Sequence, residues 1–561
     1  MLISLLIALA TAQEPAVIET DAPATSEEVA VDPDNLWLEE VLGERALEQV
    51  RTWNGATDEH FASDPLFATF QSEALSMLTS DARIPSVTFR GEYAYNFWQS
   101  PEHVRGLWRR LPIKKYLKGE REWEVLLDID ALEAREQKNW LWHGATCAPG
   151  SDRCMVSLSR GGADAAEERE FSLDSKSFVE GGFFVPEAKS DITWADADTL
   201  LVGTDRGEGS LTDSGYPRTV VRWERGTELA SAPLVFEGES TDVASSAWTV
   251  HRDGQDYVFF NRAVTFYDSE LYHLRDGEQV RLPLPDRAWP VGVMDEQLIV
   301  QLHQDFEHNG TGYHSGALVS VDLASLDIAL IREPGEGESI EQVHVGKKSL
   351  TLAVLSDVKG KLRQLRRKGD AWVAREIDLP DNGVVSLEAG SDDRDDVIVS
   401  FESLTVPNTL FHVAKNGKLK ELEQLPELYD ASDVVVEQRF ATSSDGTRVP
   451  YFVMAKREVL EGGPAPTIQY GYGGFLAAIL PTYFSDDARP QHGAIAGKLW
   501  VERGGVLVLS NIRGGSEYGP EWHAAALKHN RQLAYDDFFA IAEALIADGV
   551  TTPAQLGAIG R

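Results

Sequence analysis

The chain of 561 residues is 43% hydrophobic and 25% charged, an ordinary balance for a globular protein and too much length for one core. Its 52 Lys plus Arg stand against 90 Asp plus Glu, a formal charge of −38. A surface of that sign repels phosphate backbones and argues against nucleic acid as a partner; it suits solubility, or attraction of cationic peptides.

The first segment, Met1 to Ala12, is an apolar run ending in the small-x-small pattern Ala10-Thr11-Ala12. It is too short to span a bilayer and is expected to be a signal peptide, although no Lys or Arg precedes it. Residues 13–32, rich in Glu, Asp, Ala, Thr and Pro, have little to bury and are expected to form a disordered acidic linker. Export would place the mature protein in the periplasm or outside the cell. The only two cysteines, Cys147 and Cys154, flank the turn residues Pro149-Gly150-Ser151-Asp152. A disulfide across that hairpin is the expectation, with two free thiols as the alternative. His143 is the only other ligand type nearby, so no metal site is expected there.

From 86 to 428 the pattern is short apolar strands broken by Gly and Asp turns. A strand running into a glycine turn recurs at Met155–Gly161, Val220–Gly226, Leu271–Gly277, Leu362–Gly369 and Leu410–Gly417, with Ala317–Leu323 as a further copy. Gly277, Gly369 and Gly417 lie 92 and 48 residues apart, and with the Ala317–Leu323 copy in the first interval the period is about 46–48 residues, that of a four-stranded propeller blade; Met155–Gly161 and Val220–Gly226 are further candidate hairpins, and Tyr93–Asp130 has strand signals for one more. Seven blades are predicted in preference to a series of β-sandwiches. Trp194–Val202 reads as a turn entering a buried inner strand.

Beyond residue 429 the character changes. Strands are predicted at Val434–Ala441, Val449–Ala455, Thr467–Tyr470 and Gly505–Ser510, with a turn at Ser444–Thr447. A helix follows from Tyr535 to Ala547, its apolar face formed by Phe538, Ile541, Ala542 and Leu545 and its cap by Asp536. Gln555–Gly560 enters another strand. Strands followed by a helix and a strand suggest a parallel α/β sheet.

Two motifs stand directly after strands in this region, Tyr470-Gly-Tyr-Gly-Gly-Phe475 and Asn511-Ile-Arg-Gly-Gly-Ser-Glu-Tyr-Gly519 with Trp522-His523. Glycines at a strand end allow close backbone approach, and the carboxyl edge of an α/β sheet is where active sites form. With the Tyr535-Asp-Asp-Phe538 helix and Asp32-Pro33, Trp37-Leu38-Glu39 near the start, these motifs resemble the prolyl oligopeptidase family of serine peptidases.

That resemblance implies a seven-bladed propeller over an α/β-hydrolase domain, with 33–85 as a helical segment packing on the latter and 429–561 as its first part. It implies hydrolysis of short peptides, with proline before the scissile bond as one specificity, by a triad in the chain order Ser, Asp, His that needs no cofactor. Oligopeptidase B-like or dipeptidyl-peptidase-like cleavage is the alternative within the superfamily, and a non-catalytic binding propeller the alternative outside it. Tyr472 matches the family's oxyanion-hole tyrosine and Phe475 a substrate-pocket position. No G-x-S-x-G occurs in the sequence, so the triad is expected beyond Arg561 and the 561 residues alone are expected to be inactive. His523 is expected to be a structural histidine rather than the general base. A monomer acting on peptides, with no nucleic acid and no membrane attachment after signal cleavage, completes the expectation.

Overall fold

The computed structural model describes residues 33–40, 42–80, 82–369, 371–484 and 491–560; the expected signal peptide and acidic linker lie outside them. The chain forms two compact units, Met1–Ser72 and Glu73–Arg561. In the first, a 3-10 turn Pro33–Glu39 precedes the helix Glu44–Ala62, and the Arg45 guanidinium lies 4.0 Å from the centre of the Trp37 ring. A second helix, Pro65–Leu78, follows.

The second unit contains seven successive antiparallel sheets, the blades of a propeller, whose first strands begin at Thr88, Trp140, Asp191, Ala244, Ala288, Glu338 and Gly383; six have four strands, and the second has a fifth, Phe184–Ala188, paired with its third. The recurring hairpin of the sequence is, in blades three, four, six and seven, the turn between the third and outermost strands. Its glycines, Gly226, Gly277, Gly369 and Gly417, all take positive φ, which is why glycine recurs there. Met155–Gly161 differs: Gly161 joins the second and third strands of blade two. Trp194 lies within the first strand of blade three, Asp191–Asp196, and the turn comes after it; the next strand, Thr199–Gly203, is buried throughout.

Every neighbouring pair of blades shares a core. The ring closes where Val87, Phe89, Ala94 and Leu111 of blade one meet Ile398 and Leu410 of blade seven. Among the described residues no strand is exchanged between the first and last blades; side-chain burial, worth roughly 1.5–3 kcal/mol for each large apolar group, closes the ring together with the Arg121–Glu423 ion pair.

The C-terminal sheet has five strands, Val434–Thr442, Arg448–Lys456, Thr467–Gly471, Val506–Ser510 and Leu556–Gly560. It is mixed rather than wholly parallel. The first two strands form an antiparallel hairpin, the second pairs antiparallel with Val506–Ser510, and the last three run parallel with Thr467–Gly471 between its two neighbours. The near-continuous apolar run of Val506–Ser510 is fully buried, as a central strand requires. The helix on this sheet runs from Gln532 to Ala547. Asp536 is therefore not its cap but lies in the second turn, where it accepts hydrogen bonds from Ser444 Oγ and Gln532 Nε2 at 2.9 Å. Its buried face is Ala534, Asp537, Ile541 and Leu545.

The propeller and the sheet share a core. Val358 in a turn of blade six and Leu404 of blade seven are fully buried among Tyr429, Phe452, Met454, Tyr470 and Leu509. Among the described residues no helix is long and apolar enough to cross a membrane.

In blade two, Cys147 and Cys154 pair directly across adjacent strands and form a disulfide. A covalent loop of this size restricts the unfolded chain by about 2 kcal/mol. The double substitution Cys147→Ser/Cys154→Ser is expected to weaken hydrogen-exchange protection of the Arg153–Arg160 strand by that amount, while the exchange of the C-terminal sheet stays unchanged.

Candidate active site

Three parallel strands end together. Gly471 is in register with Ser510 on one side and with Gly560 on the other, so Tyr472 and Asn511 leave the sheet at the edge where the Leu556–Gly560 strand also ends. This edge, at which Gly471, Ser510 and Gly560 end their strands, is where α/β sheets hold ligands.

The two glycine-rich loops at that edge pack backbone against backbone. A Cβ on Gly471 would stand 2.7 Å from the Phe538 ring, and one on Gly473 2.7 Å from the Arg513 carbonyl oxygen. A Cβ on Gly514 would run into the Gly473 carbonyl. Gly473 and Gly514 also have φ of 62° and 101°, so both sterics and conformation demand glycine there. The Arg531 guanidinium donates to the Gly473 carbonyl. His523 Nδ1 lies 2.7 Å from the Gly514 carbonyl oxygen and 3.3 Å from the Leu476 N–H, between the two loops.

Tyr472 is half-buried. Its ring lies over Gly474, 3.8 Å from where a Cβ would be, and rests on the core that includes Val358 and Leu404. Across the interface, the Tyr267 phenol of blade four has its pKa raised, chiefly by burial and in smaller part by Tyr472, with Arg287 acting the other way. Phe475 is 76% exposed. It and Leu476 take successive φ of 53° and 55°, a tight turn that leaves the ring open to solvent.

The sequence did not single out what holds these loops. Arg513 is 4% exposed. Its guanidinium donates to Asp537 at 2.6 and 2.9 Å, to Asp445 at 2.5 Å and to Ser443 Oγ at 3.3 Å, and its backbone N–H reaches Asp537 at 3.0 Å. The bonds to Asp537 raise the guanidinium's pKa, and Arg513 holds the Asp445 carboxyl well below the usual range. One signal was available: Asp537 shares the helical stripe 537, 541, 545 with Ile541 and Leu545, and a carboxylate on an apolar face needs a buried cation.

Glu517, in the second motif, is fully buried. Its Oε1 accepts the Ile479 N–H at 2.9 Å, fixing the segment that follows Phe475. Burial pushes its pKa up to about 8 despite that bond. Burial thus favours its protonated form, and Asn511, whose Oδ1 is otherwise without a partner, stands beside it.

Among the described residues one group could offer three metal ligands, His103, Asp128 and Asp130 in blade one. Asp130 already accepts the backbone N–H groups of Arg105 and Gly106, so its carboxylate is engaged by the protein.

The sequence matches the model described as "Prolyl oligopeptidase, N-terminal beta-propeller domain" over residues 12–424 and that of the "Prolyl oligopeptidase family" over residues 495–561. It is 36% identical over 555 residues to an uncharacterised peptidase of Sinorhizobium fredii, covering 96% of this chain and 75% of the relative. Among solved structures it is similar to a post-proline cleaving enzyme from Rickettsia typhi, with a TM-score of 0.80, 28% identity, and coverage of 94% of this chain and 78% of the other. Oligopeptidase B from Leishmania major shares the fold at 18% identity and a TM-score of 0.70, over 93% of this chain and 72% of the other.

Two outcomes are expected here. Asp537→Ala leaves a buried guanidinium short of its partner and should destabilise the C-terminal sheet by about 3–5 kcal/mol in denaturant unfolding. Burial holds the Glu517 proton up to about 8 in the folded chain, against the ordinary carboxylate value of 4.5 when unfolded. Its contribution to stability is complete below that value and is lost as pH rises through about 8. Hydrogen exchange at Ile479 should therefore quicken from pH 5 to 8, beyond the intrinsic rate, in the wild type and not in Glu517→Gln. Equal profiles in both would remove the neutral carboxyl.

Proposed function

The chain belongs to the prolyl oligopeptidase family of serine peptidases, and from that premise we propose that the whole protein hydrolyses short peptides after proline, with Tyr472 donating to the oxyanion. The observation that supports this most is the parallel register that sets Gly560 opposite Gly471. In this fold class the nucleophile sits on the turn that follows such a strand, and here that turn would emerge next to Tyr472.

In this reading the serine, aspartate and histidine come from sequence after Arg561, and the 561 residues alone have no turnover. The absence of G-x-S-x-G from the sequence supports it. The serine Oγ attacks the peptide carbonyl while the histidine takes its proton; the carbonyl oxygen becomes an oxyanion that accepts the Tyr472 O–H and the backbone N–H after the serine. Collapse of that intermediate expels the amine, which receives the proton from the histidine, and water then hydrolyses the acyl-enzyme. Phe475, exposed beside this edge, supplies an apolar ring for the proline.

The same reading makes the protein exported and monomeric, acting on peptides rather than nucleic acid or membranes. The apolar start Met1–Ala12 and the disulfide support export.

Tyr472→Phe in the complete enzyme should lower kcat roughly a hundredfold on a short chromogenic peptide with proline before the scissile bond, with little change in KM. Replacing that proline by alanine in the substrate should cost more in kcat/KM than any change further from the cleaved bond. Undiminished turnover in the variant would take Tyr472 out of the mechanism.

A further inference from the structure

The turn joining the second and third strands of blade six, Asp357-Val358, reaches into the C-terminal domain. Both residues have positive φ, 46° and 65°. That is a costly conformation for a β-branched residue and persists only where surroundings enforce it. Two sets of contacts do so. Val358 is fully buried in the core on which Tyr472 rests. Asp357 accepts the Tyr518 O–H at 2.9 Å through its carboxylate, which also lies 3.5 Å from the Arg448 guanidinium; its carbonyl accepts the Gln438 amide.

Tyr518 is the tyrosine of the second glycine motif. Its ring lies against Gly337 of blade six, 3.6 Å from where a Cβ would be, and meets the Trp522 ring edge-on at 4.9 Å. The Trp522 carbonyl accepts the Gly514 N–H at 3.0 Å. Gly514 in turn abuts the Gly473 carbonyl, the residue after Tyr472. An unbroken series of contacts thus runs from a propeller carboxylate to the edge of the sheet.

We propose that Asp357 is a positioning residue for the Tyr472 hydroxyl, acting through Tyr518 and the Gly514–Gly473 contact, so that the oxyanion donor is in place only while blade six is docked. This rests on the reading of Tyr472 as that donor. Asp357 touches no substrate. Its carboxylate fixes where the Tyr518 ring sits, and the ring fixes the loop against which Gly473 is packed. A donor must lie within a few tenths of an ångström of the oxyanion's position to act at full strength, and a remote misplacement is enough to slow turnover severely.

The test uses Asp357→Ala, Asp357→Asn and Tyr518→Phe in the complete enzyme, each alone and with Tyr472→Phe. Asp357→Ala and Tyr518→Phe should lower kcat on the order of tenfold with KM unchanged. Asp357→Asn, which keeps an acceptor for the phenol, should restore most of the loss. In the Tyr472→Phe background the Asp357→Ala change should have no further effect, because the group it positions is gone. Losses that multiply in that background, or a rise in KM instead of a fall in kcat, would overturn the proposal. A 19F label on the Tyr472 ring gives a readout independent of turnover. Its resonance should shift in Asp357→Ala and return in Asp357→Asn, and an unmoved resonance would overturn the proposal as well. If Tyr472→Phe leaves kcat intact while the resonance still shifts, the oxyanion reading fails and the proposed catalytic role of Asp357 falls with it, with the contact between the two sites left standing.

Discussion

A guanidinium taken out of water must be matched by charge and hydrogen bonds or it destabilises the fold. Arg513 is matched fully, by two carboxylates and a hydroxyl contributed by segments far apart in the chain. Asp445 and Ser443 lie at the turn between the first two strands of the sheet, Arg513 in the loop after the buried central strand, and Asp537 on the helix that covers it. The pairing therefore sets the height of the helix over the sheet and the path of the loop between them. Gly514 follows Arg513 directly, and its contact with Gly473 passes that placement on to Tyr472.

The loops tolerate this because they have little side chain to accommodate. Where Gly473 and Gly514 meet, backbone touches backbone, and a single methyl group on either would part the loops. Close contact of this kind transmits position well, since it has no rotamers through which to absorb a displacement. The segment after Phe475 is held in a similar way, through backbone N–H groups. Glu517 accepts from Ile479 and Glu402 of blade seven from Tyr483. Burial pushes these carboxyls up to about 8 and about 7. Burial favours the protonated form of each, which can accept a hydrogen bond in a dry interior without the cost of a buried charge.

How much of this could be read from the sequence depends on how local each feature is. The propeller was legible because its signal lies within a hairpin: a strand, a glycine forced to positive φ, and a second strand, repeated at one spacing. The carboxyl edge of the sheet was legible because strand and glycine motif are adjacent in the chain. The helix start was misplaced because Asp536 looks like a cap, whereas Gln532 to Tyr535 already belong to the helix and Asp536 serves the Ser444 turn across space. The apolar stripe on which Asp537 lies hinted at a buried cation, but that its partner is Arg513, and the role of Glu517, were out of reach for the same reason. Each depends on partners brought together only by folding, and a buried proton leaves no mark on composition.

The shared core explains why the propeller and the sheet form one compact unit. Val358 and Leu404 are propeller residues by sequence, yet their neighbours are Phe452, Met454, Tyr470 and Leu509 of the sheet. Removing the propeller would open the face of the sheet on which Tyr472 rests, and removing the sheet would expose a strained turn with nothing to hold it. Closure of the propeller ring has no such dependence, since it is completed between blades one and seven by their own side chains. The two junctions differ in what they reach. The seam within the propeller adds to its apolar packing the Arg121–Glu423 ion pair and a Lys420 bond to the Leu117 carbonyl. The other joins that packing to the hydrogen bonds of Asp357, Tyr518 and Gln438, and it is the one that bears on the sheet edge.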